Sequence, residues 1–181
     1  MGTIGSFQAE KLVIGILDSR PDGTDTLVSE LALHFGPVDY ASARLPFDFT
    51  RYYDEEMGAG IRRMFVSFER LIEPASLSVI KAETNRLEDG YRELGGRKVN
   101  LDPGLLCLSR FVLASTKDGS HRIPLSAGIY AEVTLVFEHG SFRPVEWTYP
   151  DYRSAEYISI LNEIRGLYRR QIGGSTRASM L

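Results

Sequence analysis

Four short segments carry the residue types that do chemistry. In 98–104, Lys-Val-Asn-Leu-Asp-Pro-Gly, an extended backbone sends Lys98, Asn100 and Asp102 to one face and Val99 and Leu101 to the core. A carboxylate and an amide at a strand end can orient a substrate hydroxyl or bind a metal. Alternatively, Pro103-Gly104 forms the centre of a type II turn that Asp102 merely opens. In Ser120-His121-Arg122, the imidazole suits proton transfer near neutrality and the guanidinium suits a two-point grip on a carboxylate or phosphate. The plainer reading is a solvated loop. Within 129–135, Ile129, Ala131, Val133 and Leu135 make an apolar face and leave Tyr130, Glu132 and Thr134 on the other. A mid-strand Glu needs water, a cationic partner or a metal, because burying it unpaired is costly. Finally, Lys81, Asn85 and Glu88 follow at helical steps of four and three, either a binding edge or a surface charge ladder.

Gathered in one place, these residues suit a small anionic ligand. Lys81 and Arg122 would hold the anion, His121 would move a proton, and Asp102 or Glu132 would orient the reacting group or hold Mg²⁺. The catalytic candidates are thus His121, Glu132 and Asp102. The ligand-binding candidates are Lys81, Asn85, Glu88, Asn100, Arg122 and Tyr130. No dedicated metal site is assigned, although a weaker alternative groups Asp102, His121 and Glu132 around a divalent ion. The familiar machinery is missing. No Gly-Lys dipeptide exists to build a P-loop, Gly58-Ala59-Gly60 fails the dinucleotide fingerprint, and no Gly-x-Ser-x-Gly elbow occurs.

The elements that must position these residues follow from periodicity. The branched apolar run 11–17 reads as a strand buried on both faces. Thr24 caps a helix to about Phe35, a strand follows over 38–45, and Pro46 ends it. The aromatic stretch 47–60 reads as an ordered loop or short helix. A strand is expected over 62–71, with Met64, Val66 and Phe68 on one face. From Pro74, the residues Leu77, Ile80, Thr84, Leu87, Tyr91 and Leu94 mark an amphipathic helix that Gly95-Gly96 closes. Extended segments at 97–101 and 105–115 come next, then a hairpin of 128–138 and 141–145 turning at His139-Gly140. The aromatic turn 147–152 contains Asp151, a spare carboxylate, and leads to a last helix over 154–170. This order predicts a single α+β domain with a ferredoxin-like β-α-β-β-α-β core, an added antiparallel hairpin and a C-terminal helix. The domain spans 11–172, with flexible ends at 1–10 and 173–181.

Composition limits the function classes. Among 181 residues, 21 Lys and Arg stand against 24 Asp and Glu, a net charge of −3 that argues against general nucleic-acid binding. No apolar run approaches the roughly 18 residues of a membrane span. The single Cys107 excludes an intramolecular disulfide and reads as a small buried hydrophobe in a cytoplasmic protein. The start lacks a secretory pattern, while Gly2 and Ser6 fit the loose N-myristoylation pattern.

Several stretches together resemble the bacterial domain-of-unknown-function family 4416. They are Phe47-Asp48-Phe49-Thr50 with Tyr52-Tyr53 and Glu56-Met57-Gly58, Ser67-Phe68-Glu69, and Lys81 with Thr84-Asn85 and Glu88. They continue through 99–104, His121-Arg122-Ile123, 128–135 and 147–152. The resemblance implies a small cytoplasmic prokaryotic protein; some members carry a GTP-binding label, which the missing Gly-Lys separates from any P-loop. Two function classes remain. One is an enzyme or binding protein for an anionic metabolite or nucleotide. The other is a non-catalytic interaction or assembly module using the aromatics of 47–53, with which a homo-oligomer is compatible.

Overall fold

In the computed structural model, which describes residues 2–93 and 96–178, the apolar run at 11–17 lies in the middle of one large sheet. The elements in chain order are β1 (Glu10–Asp18), α1 (Thr24–Phe35), β2 (Val38–Ala41), β3 (Leu45–Pro46), α2 (Asp54–Met57), β4 (Arg62–Ile72) and α3 (Leu77–Asp89). There follow β5 (Arg92–Glu93), β6 (Gly96–Arg97), β7 (Val99–Leu106), β8 (Arg110–Ser115), β9 (Ile123–Pro124), β10 (Tyr130–Glu138), β11 (Ser141–Pro144) and α4 (Ala155–Ala178). Among the described residues the large sheet runs β11-β10-β8-β7-β1-β4-β2, with β3 on β4 and β9 on β10. Its pairings are antiparallel. The chain is one mixed α/β domain.

Strand alternation sorts the core into two layers. Leu12, Ile14 and Ile16 of β1 pack with Leu27 and Leu31 of α1 and Ile80 of α3. Val13 points the other way, into a layer with Phe65, Leu161 and Ile164, the last two from α4. Helices thus cover both faces, and all of β1 is buried. Antiparallel sheets more often leave one face wet. No helix among the described residues is long and apolar enough to cross a membrane.

Several local expectations give way to longer-range contacts. Thr24 is the first residue of α1, not its cap, and its hydroxyl donates to Asp18 (3.1 Å). The strand expected over 38–45 divides into β2 and β3, and Pro46 lies within β3. Helix α3 ends at Asp89 with Gly90 as its cap, while the expected closing residues Leu94 and Gly95 fall outside the described residues. Helix α4 runs past Arg170 to Ala178, into the segment read from sequence as a tail; 179–181 lie outside the described residues. The hairpin forms where expected, with His139 and Gly140 both at positive φ (51° and 84°), and β10 begins at Tyr130.

The largest correction concerns Pro103-Gly104. They form no turn: β7 runs straight through them, pairing Ile14 with Pro103 and Val13 with Gly104. On its other side β7 pairs with β8 only from Gly104 to Leu106, opposite Leu113 to Phe111. A Cβ on Gly104 would lie 2.7 Å from the Phe111 ring and 2.7 Å from the Val112 carbonyl oxygen. Gly104 is therefore required by close approach of a neighbouring strand. Towards residue 99 the two strands part and leave a fork in the sheet. Gly104→Ala should destabilise the fold by about 1–3 kcal/mol, the usual cost of overpacking, measured as a fall in the urea midpoint, with Gly5→Ala, which meets nothing within 4 Å, as the neutral control.

Candidate functional site

At the fork the β8-facing backbone groups of the fully buried Leu101 have no strand partner. Two side chains from α3 replace it. Glu88 Oε1 accepts from the Leu101 N–H (2.7 Å), and Lys81 Nζ donates to the Leu101 carbonyl (2.7 Å). The helical spacing seen in the sequence serves this purpose: Lys81 and Glu88 are both buried, 3.7 Å apart, and are no surface ladder. Arg97 also donates to Glu88 (2.9 Å) and pairs with Glu56 (3.0 Å). By alternation Pro103 turns the same edge towards the fork, where its missing N–H leaves no orphan donor.

The floor is built around Arg63 of β4, which is 2% exposed. Its two terminal nitrogens donate to Asp102 (2.9 Å) and Asp151 (3.0 Å), and Asn100 Nδ2 donates to the second oxygen of Asp102 (2.9 Å). The rings of Phe47, Phe65, Tyr152 and Tyr157 surround the guanidinium, with centroids 5.4–5.9 Å away. Opposite lies Gly15, the lone glycine of the apolar run in β1. A Cβ there would stand 2.8 Å from Arg63 Nη1 and 3.0 Å from the Tyr152 hydroxyl. The far wall is β10. Oε2 of Glu132, a residue 1% exposed, accepts from Arg122 Nε (2.8 Å) and lies 3.1 Å from His121 Nε2. Arg122 also donates to the Tyr149 hydroxyl and the Lys117 carbonyl, and His121 stacks on Trp147 (5.3 Å, 19°).

These walls enclose a cavity of about 730 Å³. Of the expected site residues, Lys81, Asn85, Glu88, Asn100, Asp102 and Glu132 line it. His121 and Arg122 do not; both contact Glu132 Oε2. Tyr130 is half-buried on β10 and outside the cavity. The polar face expected for 129–135 is interrupted by an irregularity between Val133 and Leu135, which turns Leu135 into the α4 layer. The proposed trio of metal ligands does not assemble. Asp102 is held by Arg63 and Asn100, and among the described residues no three His, Cys, Asp or Glu are grouped to hold a metal ion. Over the mouth lies the aromatic segment 47–53, with Tyr53 against Phe47 (5.9 Å) and Tyr52 against Tyr53 (5.0 Å).

A family model for a domain of unknown function, DUF4416, matches residues 8–168. The chain belongs to this family. The match spans every residue of the cavity wall and the buried residues of both core layers. No curated protein and no solved structure matches the chain.

Electrostatics separate the acids of this DUF4416 cavity. Burial alone would raise Asp102, but the charges of Arg63 and Lys81 and hydrogen bonds from Arg63 and Asn100 hold it below its ordinary 3.8. Burial prevails at Asp151 and Glu88 and pushes both up, Asp151 against the pull of Arg63 and Glu88 against that of Lys81. Because Asp102 is lower in the folded state, its stabilisation is complete above the unfolded value of 3.8 and disappears as pH falls through the lowered value. The destabilisation caused by Asp102→Asn should therefore be largest near neutrality and shrink in acid, a trend that urea unfolding of both proteins across pH will show.

Proposed function

We propose that the chain binds a small polar metabolite in the fork between β7 and β8, as a binding protein or as an enzyme. One observation carries this reading: an open cavity of about 730 Å³ whose wall contains buried, oriented charged side chains. Most ligand pockets fall at roughly 300–1,000 Å³, and few structural needs explain so many costly polar groups in one place. In the enzymatic version Glu132 faces the ligand, His121 and Arg122 fix its carboxylate, and His121 supplies or accepts the proton. Asp102 with Asn100 belongs to the floor and positions it. The same reading keeps anionic metabolites, nucleotides included, as the ligand class. The lysine and arginine side chains supply positive charge, although Arg63, Lys81 and Arg97 already have carboxylate partners.

We also read β1, β2, β4 and β7 as a ferredoxin-like core. The order β7-β1-β4-β2, with α1 and α3 as the connecting helices, supports it. An assembly role for 47–53 has less in its favour. Phe47 is buried, and Phe49 packs on Tyr157 (5.7 Å). The single free cysteine fits a cytoplasmic protein.

A thermal-shift screen of nucleotides, sugar phosphates and organic acids should yield at least one compound that raises Tm in a concentration-dependent way. Asn85→Trp, which fills the cavity from an α3 position half-exposed at its wall, should abolish that shift and leave the unliganded Tm nearly unchanged. A shift that survives Asn85→Trp would place the ligand elsewhere.

A further inference from the structure

Two groups in the cavity wall are open to a ligand, and they are of opposite kinds: a buried carboxylate oxygen without a donor and an exposed lysine without a carboxylate. The first is Glu132. Its Oε2 is engaged by His121 and Arg122, whereas its Oε1 is buried with no hydrogen-bond partner. A buried carboxylate oxygen without a donor costs free energy and is uncommon in folded proteins. Both cationic neighbours are committed to the other oxygen, so a donor for Oε1 must come from the cavity that Glu132 lines. The second is Lys117, at the mouth. Arg63, Lys81, Arg92 and Arg97 each pair with a carboxylate, but among the described residues Lys117 forms no ion pair. Its exposed ammonium instead lies 4.5 Å from the centroid of the Tyr52 ring and donates to the Tyr52 hydroxyl (3.4 Å).

We propose that the ligand is an amino-acid-like zwitterion. Its protonated amine donates to Glu132 Oε1, its neighbouring acid group meets Lys117 Nζ, and an apolar or aromatic body lies against the rings of Phe49 and Tyr52. The proposal rests on the cavity being the binding site and narrows what enters it. A protonated amine meets the unpartnered acceptor with a charge-assisted bond, and an acid draws Lys117 off the Tyr52 ring into an ion pair. A plain dianion would satisfy Lys117 and leave Glu132 worse placed, with like charge brought towards its carboxylate.

The test uses the intact chain and three compounds of one shape: phenylalanine, 3-phenylpropionate, which lacks the amine, and 2-phenylethylamine, which lacks the acid. Binding is read by thermal shift and by emission of Trp147, the single tryptophan, which stacks on His121 next to Glu132. Phenylalanine should bind about tenfold or more tightly than either truncated compound, the scale of a lost charged hydrogen bond. Glu132→Gln should remove its advantage over 3-phenylpropionate, and Lys117→Met its advantage over 2-phenylethylamine. Should Glu132→Gln fail to fold, the ranking of the three compounds on the unmodified chain decides by itself. Equal binding of phenylalanine and 3-phenylpropionate would overturn the zwitterion and leave the cavity reading intact. So would silence from all three beside a response, abolished by Asn85→Trp, to nucleotides or sugar phosphates. Silence across both sets of compounds would overturn the zwitterion and the cavity reading together.

Discussion

A guanidinium cannot shed its proton, so burying it within a sheet is tolerated only where carboxylates replace the water it has lost. Arg63 meets that condition with Asp102 from β7 and Asp151 from the turn before α4. The consequence spreads through the fold. A strand, a second strand two places away and an irregular turn are tied to one side chain, across a β1 that can offer only a glycine at the crossing. The rings of Phe47, Tyr152 and Tyr157 then pack around the cation, which fixes the aromatic segment over the cavity floor. Replacing such a cluster by apolar residues is often neutral, so its retention calls for another reason. A charged floor beneath an open cavity supplies one.

The fork solves a second problem of the same kind. Where β7 leaves β8, the backbone of Leu101 would be stranded, and Lys81 and Glu88 complete it in place of a strand. The sheet thereby tolerates an opening that a regular ladder would close. The two devices meet at Asp102, whose carboxyl the charges of Arg63 and Lys81 hold below its ordinary value against the effect of burial. Charge, opening and cavity are thus coupled consequences of two polar substitutions for ordinary sheet pairing.

Much of this frame was legible in the sequence. The three-and-four spacing of α3, the run of β1, the alternation of Met64, Val66 and Phe68 and the His139-Gly140 turn each depend on local periodicity or turn geometry, which a single sequence carries. Six polar candidates line one cavity: helical phase places Lys81, Asn85 and Glu88, and strand alternation places Asn100 with Asp102 although the strand's end does not fall where expected. Arg63 was missed. Adjacent to Arg62 in a strand, it carries no local mark of burial, and its burial depends on Asp102 and Asp151, 39 and 88 residues away. The available signal was Gly15, a glycine inside an otherwise apolar strand, which marks close approach by something. Pro103-Gly104 misled for the converse reason. The pair has turn chemistry in any local reading, and only the Phe111 ring and the fork explain it as strand. His121 and Arg122 are expected to serve one anionic ligand, and spacing alone does not tell that both instead contact the Glu132 carboxylate.

The account stands on Arg63 and its carboxylates being one energetic unit, and a double-mutant cycle measures that directly. Arg63→Met and Asp102→Asn, singly and together, would be compared by urea unfolding near neutral pH. The account predicts that the double variant is more stable than the two single losses imply, by about 1–3 kcal/mol, the range found for directly coupled pairs. Additive losses would contradict it, because Arg63 and Asp102 would then be neighbours without dependence, and the floor of the cavity would have to be held by something else.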